Sequence, residues 1–184
     1  VTRRALFLDR DGIINEDRGF VHRREEFVFL DGIFDLAAAA TRQGLALVVA
    51  TNQSGIGRGY YTEADFHALM GWVAAEFAAR GTPLARIEFC PDHPSEGIGP
   101  YRRESDRRKP GPGMLRDAAA ALGLDLAGSL MVGDSLRDVE AGHRAGLATC
   151  LLVTADAATA AQAPPGTLVL PSVRAAAAWL AARG

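Results

Sequence analysis

Short runs of consecutive apolar residues alternate along the chain with stretches whose apolar positions recur every three to four residues. Ala5 to Leu8, Leu45 to Ala50, Leu84 to Phe89, Ser129 to Val132, Leu147 to Val153 and Thr167 to Leu170 read as strands. Their unbroken apolar character suits strands covered on both faces. Asp31 reads as the N-cap of a helix that runs through about Gln43 and is closed by Gly44. Thr62 and Asp65 resemble a capping box that opens a helix to about Arg80. Further helices are predicted over Met114 to Leu122, Ser135 to Ala145 and Val173 to Arg183. Strands alternating with helices build βαβ units, so the predicted fold is α/β, a Rossmann-like three-layer sandwich around a mainly parallel sheet. With no linker or internal repeat, residues 1–184 read as a single domain. Arg10 to Leu30 and Cys90 to Gly113 lack periodicity, and long loops inside such a domain usually carry function.

Composition narrows the field. A net charge of -2 argues against a general nucleic-acid binder. No apolar run approaches the ~18 residues of a membrane span. The first residues, VTRRALFLDRDG, lack the apolar stretch of a signal peptide. Cys90 and Cys150 make no disulfide framework. A soluble, cytoplasmic monomer is the expectation. Of the 20 basic residues all are arginine except Lys109, so that position calls for something arginine does not supply.

In open α/β sheets ligands bind beyond the carboxyl ends of the strands, and here those ends read Asp9, Thr51, Cys90 and Asp134. Asp9 and Asp11, two residues apart after a buried strand, suit a hard cation such as Mg²⁺, which also accepts phosphate oxygens. Asp9 is then a candidate nucleophile and Asp11 a candidate general acid and base. Thr51, followed by Asn52, Gln53 and Ser54, can cradle a phosphoryl group. Lys109 lies in a stiff Lys-Pro-Gly-Pro-Gly segment and can neutralise a transferring phosphoryl group. Asp134 is the third candidate metal anchor beside Asp9 and Asp11, and Asp138 can orient the metal or Lys109. The segment Arg102 to Lys109 holds five basic residues against Glu104 and Asp106, which fits a substrate with two phosphates.

The order Asp-x-Asp, Thr, Lys, Asp on successive strand ends resembles the haloacid dehalogenase superfamily of phosphohydrolases. A narrower resemblance, carried by LDRDGIIN, EDRGFVH, ALVVATNQSGIGRG, CPDHP, RRKPGPGML and MVGDSLRD, is to the heptose bisphosphate phosphatases, relatives of the histidinol-phosphate phosphatases. It implies a minimal cap, a Mg²⁺ cofactor, a phospho-Asp9 intermediate and a small sugar bisphosphate as the partner, losing its 7-phosphate. It also implies substrate contacts at Asp17, Arg18, Gly19, Phe20, Asn52, Gln53, Ser54 and Arg108. Many relatives carry a zinc loop, but the matching positions here are Cys90, Asp92, Ser105 and Arg107, so zinc is not expected. The residue after Asp134, often lysine in the heptose enzymes, is Ser135. Histidinol-phosphate phosphatase and a phospho-accepting receiver domain are the alternatives. In a receiver the acidic pair and the acceptor aspartate lie on different strands.

Overall fold

A computed structural model describes residues 3–183. The strands are β1 (Arg4–Leu8), β2 (Leu45–Asn52), β3 (Leu84–Cys90), β4 (Leu130–Gly133), β5 (Thr149–Val153) and β6 (Thr167–Leu170). They form one sheet in the order β3-β2-β1-β4-β5-β6, and every pairing is parallel. The helices are α1 (Ile33–Arg42), α2 (Ser54–Gly57), α3 (Glu63–Ala79), α4 (Gly113–Leu122), α5 (Leu136–Ala145), α6 (Ala157–Ala161) and α7 (Val173–Ala181).

Side chains alternate across each strand, so consecutive apolar residues feed two separate cores. On one face Leu6, Leu8, Leu47, Val49 and Val132 pack beneath residues of α1, α3 and α7. On the other, Ala5, Phe7, Val48, Ala50, Met131 and Cys150 meet Met114, Leu115 and Ala118 of α4 and Val139 of α5. The result is the three-layer sandwich that the apolar runs predict. The direction of travel across the sheet reverses between β1 and β4. Their carboxyl ends therefore open a crevice at the point where open α/β sheets bind ligands.

Two local readings are corrected. The N-cap of α1 is Gly32, at φ 88, and not Asp31. The chain enters this helix through a left-handed residue, which glycine adopts without a Cβ penalty. Asp31 instead turns outward and accepts from Arg174 Nε at 2.6 Å. The strand predicted from Leu147 begins at Thr149, because Leu147 still closes α5 through its N–H bond to the Gly142 carbonyl at 3.1 Å. The short helices α2 and α6 have too few residues to show a period. The Thr62–Asp65 capping box is present, with Asp65 N–H donating to Thr62 Oγ1 at 3.1 Å and Thr62 N–H to Asp65 Oδ2 at 2.8 Å.

The two aperiodic loops are ordered by burial. Ile13, Ile14, Val21 and Phe27 from the first are inserted into the α1/α3 core. Its two arms are joined by the Glu16 N–H bond to the Val28 carbonyl and the Leu30 N–H bond to the Ile14 carbonyl, both 2.9 Å. The second is tied at its far foot by Arg107, which donates to Glu88 Oε2 at 2.7 Å, to the Phe89 carbonyl at 3.0 Å and to Asp117. Phe7 is fully buried between the sheet and the α4/α5 layer. Phe7→Ala is expected to cost about 3–5 kcal/mol in urea unfolding. A loss below about 1 kcal/mol would show that this layer closes over the cavity.

Candidate active site

Asp9 directly follows β1, and its N–H donates to the Val132 carbonyl of β4 at 3.1 Å. That bond sets Asp9 beside Asp134, the first residue after β4. The close approach depends on Gly12, at φ 84, where a Cβ would stand 2.0 Å from Asp134 Oδ2. Asp9, Asp134 and Asp138 bring one carboxylate oxygen each within 4.8 Å of the others.

Lys109 enters this group from the second loop and is 2% exposed. Its Nζ donates to Asp138 Oδ1 at 2.6 Å, to the Ala50 carbonyl at 2.7 Å and to Asp9 Oδ1 at 2.9 Å. Three ammonium hydrogens meet three acceptors, a geometry that a planar guanidinium does not reproduce. Asn52 fixes the segment: Lys109 N–H donates to its Oδ1 at 2.9 Å, and its Nδ2 donates to the Lys109 carbonyl at 3.0 Å. Asp138 also caps α5, its Oδ2 accepting from the Ser135 N–H at 3.0 Å and hydroxyl at 2.8 Å. With both oxygens committed, Asp138 positions Lys109, and Asp9 and Asp134 are the stronger candidate ligands.

Burial, and then the charge of Asp138, push Asp9 up to about 8 despite the ammonium of Lys109. The same two causes raise Asp134 to about 7. Burial works against the charge of Lys109, but Asp138 and Asp9 outweigh it and hold the ammonium above its ordinary value. Three carboxylates around one ammonium leave an excess of negative charge in a shielded place. A hard divalent cation on Asp9 and Asp134 relieves it, and the all-oxygen donor set suits Mg²⁺.

The cluster forms the floor of a cavity of about 390 Å³, within the size range of small-ligand sites. Asp11, Asp17, Gly19, Phe20, Asn52, Gln53, Ser54 and Arg108 line it. Four expectations change. Asp11 is not in the carboxylate cluster: its Oδ1 accepts from Arg10 at 2.7 Å and Asn15 at 3.0 Å, and its Oδ2 from Gln53 at 3.1 Å. Those bonds hold its carboxylate apart from the Asp9, Asp134 and Asp138 cluster. Thr51 is fully buried, and its hydroxyl accepts from Gln53 Nε2 at 2.9 Å, so Asn52, Gln53 and Ser54 form the wall there. Arg18 turns to the surface and pairs with Glu16 at 2.6 Å, outside this cavity. In the basic segment, Arg107 is spent on Glu88 and Asp117 and Arg103 on Asp92, leaving Arg108 and Lys109 to face the cavity.

Arg58, Tyr61, His93 and Arg137 also line the cavity and were not read from the sequence. Arg58 and Arg137 lie inside the motifs GIGRG and GDSLRD, whose spacing was the available signal. In the loop weighed for zinc, Cys90 Sγ lies 3.9 Å from Asp92 Oδ2. Asp92 is buried and pairs with Arg103 Nε at 3.1 Å, while Arg107 points away. A cation from the chain thus supplies the charge partner in that loop.

The raised carboxyls have a thermodynamic consequence. Ordinary aspartates of the unfolded chain release protons near 3.8, whereas folded Asp134 and Asp9 keep theirs to about 7 and about 8. The folded state binds more protons across that window, so stability falls as pH rises through it. A cation takes the deprotonated form and offsets the loss. In EDTA the Tm is expected to fall between about pH 5.5 and about pH 8.5, and Mg²⁺ should raise it more at the higher pH. An equal Mg²⁺ shift at both pH values would place the cation elsewhere.

The HAD-hydrolase-like family model matches residues 106–176. The D-glycero-alpha-D-manno-heptose-1,7-bisphosphate 7-phosphatase of Burkholderia mallei is 55% identical over 150 residues, 82% of this chain and 79% of that one. The D-glycero-beta-D-manno-heptose-1,7-bisphosphate 7-phosphatase of Vibrio cholerae is 45% identical over 171 residues, 92% of each chain. The crystal structure of D,D-heptose 1,7-bisphosphate phosphatase from B. bronchiseptica, complexed with magnesium and phosphate, superposes with a TM-score of 0.84. It is 36% identical over 98% of this chain and 99% of that chain. Taken with the aspartate cluster at the switch point of the sheet, these likenesses show that the chain belongs to the heptose-1,7-bisphosphate 7-phosphatase family of haloacid dehalogenase-like phosphohydrolases.

Proposed function

We propose that the chain removes the 7-phosphate of D-glycero-D-manno-heptose 1,7-bisphosphate in a Mg²⁺-dependent reaction through phospho-Asp9. The observation that carries this reading is the clamp on Asp9. Its Oδ1 accepts from the Arg10 N–H at 2.7 Å and from Lys109 at 2.9 Å, which leaves Oδ2 as the oxygen available to phosphorus. Bound at Asp9 and Asp134, Mg²⁺ would screen their charge and polarise the phosphoryl oxygens.

Asp9 Oδ2 attacks phosphorus, and the bond from phosphorus to the sugar oxygen breaks. Asp11, aimed by Arg10, Asn15 and Gln53, gives its proton to that leaving oxygen. The resulting carboxylate then takes a proton from water, whose oxygen attacks phosphorus and frees Asp9 as phosphate departs. Lys109 holds Asp9 in place and neutralises charge beside the transferring group. A monomer acting on a small molecule in the cytoplasm fits this chemistry. Among the described residues no helix is long and apolar enough to cross a membrane.

Asp9→Asn is expected to lower kcat by about four orders of magnitude. Asp11→Asn should be nearly as slow and accumulate phosphate on Asp9, because the base that activates water is gone. Mass spectrometry locating the phosphate on another residue would reassign the nucleophile. Lys109→Arg should lose about a hundred- to a thousandfold in kcat although charge is conserved. Near-native turnover would remove the three-acceptor argument. Phosphate release across both heptose bisphosphate anomers, fructose 1,6-bisphosphate and histidinol phosphate identifies the substrate; preference for histidinol phosphate would reverse the reading.

We also propose that the enzyme folds and works without zinc, because the Asp92–Arg103 pair and the Arg107 contacts hold the loop. Elemental analysis of protein purified without added metal should find far less than one zinc per chain. Near-stoichiometric zinc, lost with activity on chelation and restored by zinc but not Mg²⁺, would overturn this.

A further inference from the structure

The cavity carries two kinds of charge. Its floor is acidic, while three arginines from three separate segments converge on its wall: Arg58 just after α2, Arg108 in the second loop and Arg137 in the first turn of α5. Their local partners are few. Arg58 meets Glu96 at 3.4 Å, and its Nε is buried without a hydrogen bond. Arg108 makes one contact, to the Asp92 carbonyl, at 3.4 Å. Arg137 takes part in no ion pair among the described residues.

Arg137 also contradicts its local setting. It occupies the second position of a helix, where the macrodipole favours acidic side chains and opposes a cation. The arginines disfavour one another as well: burial, then the charge of Arg137, and further that of Arg58, hold Arg108 below its ordinary value. Three cations gathered on one wall with few local partners mark a place suited to an anion. His93 completes the wall. Its Nδ1 accepts from the Glu96 N–H at 3.0 Å, which leaves Nε2 as the protonated nitrogen and a donor.

The geometry points to Arg137 as a specificity-determining residue that, with Arg58 and Arg108, grips the phosphate that is not being hydrolysed. Lys109 and the cation serve the reacting phosphate, while the three guanidinium groups offer planar, fork-shaped donors to a second one. This inference rests on the sugar-bisphosphatase reading. It adds Arg58 and Arg137 to the contacts expected from sequence.

The test compares a substrate with two phosphates to one with a single phosphate. Arg137→Ala, assayed with Mg²⁺, should raise KM for heptose 1,7-bisphosphate tenfold or more with a much smaller change in kcat. The ratio of kcat/KM for heptose bisphosphate over p-nitrophenyl phosphate should fall by about tenfold or more. Arg137→Lys should recover part of that ratio, and Arg137→Gln should match the alanine variant. The Tm without substrate should stay level or rise, since a cation leaves the helix N-terminus. An unchanged ratio in a wild type that prefers heptose bisphosphate would overturn the Arg137 assignment alone. Equal losses on both substrates would make Arg137 a structural residue. A wild type that shows no preference for bisphosphates over p-nitrophenyl phosphate would overturn this subsite and the sugar-bisphosphatase reading together.

Discussion

The buried ammonium of Lys109 is satisfied by groups from three parts of the sheet: Asp9 after β1, the Ala50 carbonyl within β2 and Asp138 beyond β4. A charge this far from water persists only when its partners are fixed, and removing one partner of such a group typically costs about 3–5 kcal/mol. The ammonium therefore places the second loop, which lies far from Asp9 in the chain, against that carboxylate. Asn52 reinforces the same junction from the backbone side. Without Lys109 the three carboxylates would repel one another and the cavity floor would spread.

The remaining negative charge suits a cation beside the lysine. Asp138 is committed to Lys109 and Ser135, whereas Asp134 stays open to a cation. Asp11 is kept apart from both by Arg10, Asn15 and Gln53. Two aspartates separated by one residue thus reach different environments. Their roles follow from which neighbours hold them rather than from spacing alone.

Much of this was legible in the sequence because it depends on strand ends. A buried run that stops at an aspartate reports where the sheet's carboxyl edge lies, and Asp9 and Asp134 follow from that. Lys109 stood out because the chain holds no other lysine. By the same reasoning Arg137 and Arg58 were invisible: nineteen arginines make any one of them unremarkable until the fold gathers three around one cavity. Thr51 was correctly placed at a strand end, but which of two adjacent side chains faces the ligand depends on the bend after β2. The N-cap of α1 was missed because a backbone turning through positive φ leaves its mark in glycine and not in the neighbouring aspartate.

The second loop is anchored hard at both feet. The Cys90 carbonyl accepts from Gln53 N–H at 2.8 Å at one end, and Arg107 and Lys109 are pinned at the other. The span between them contributes His93 to the cavity wall but no part of the carboxylate floor. Lengthening a loop whose ends are already held costs little entropy, about 0.6 kcal/mol for each doubling. A longer tip between those feet would therefore leave the carboxylate floor in place. The architecture thereby separates a wall that can change length from a floor that cannot.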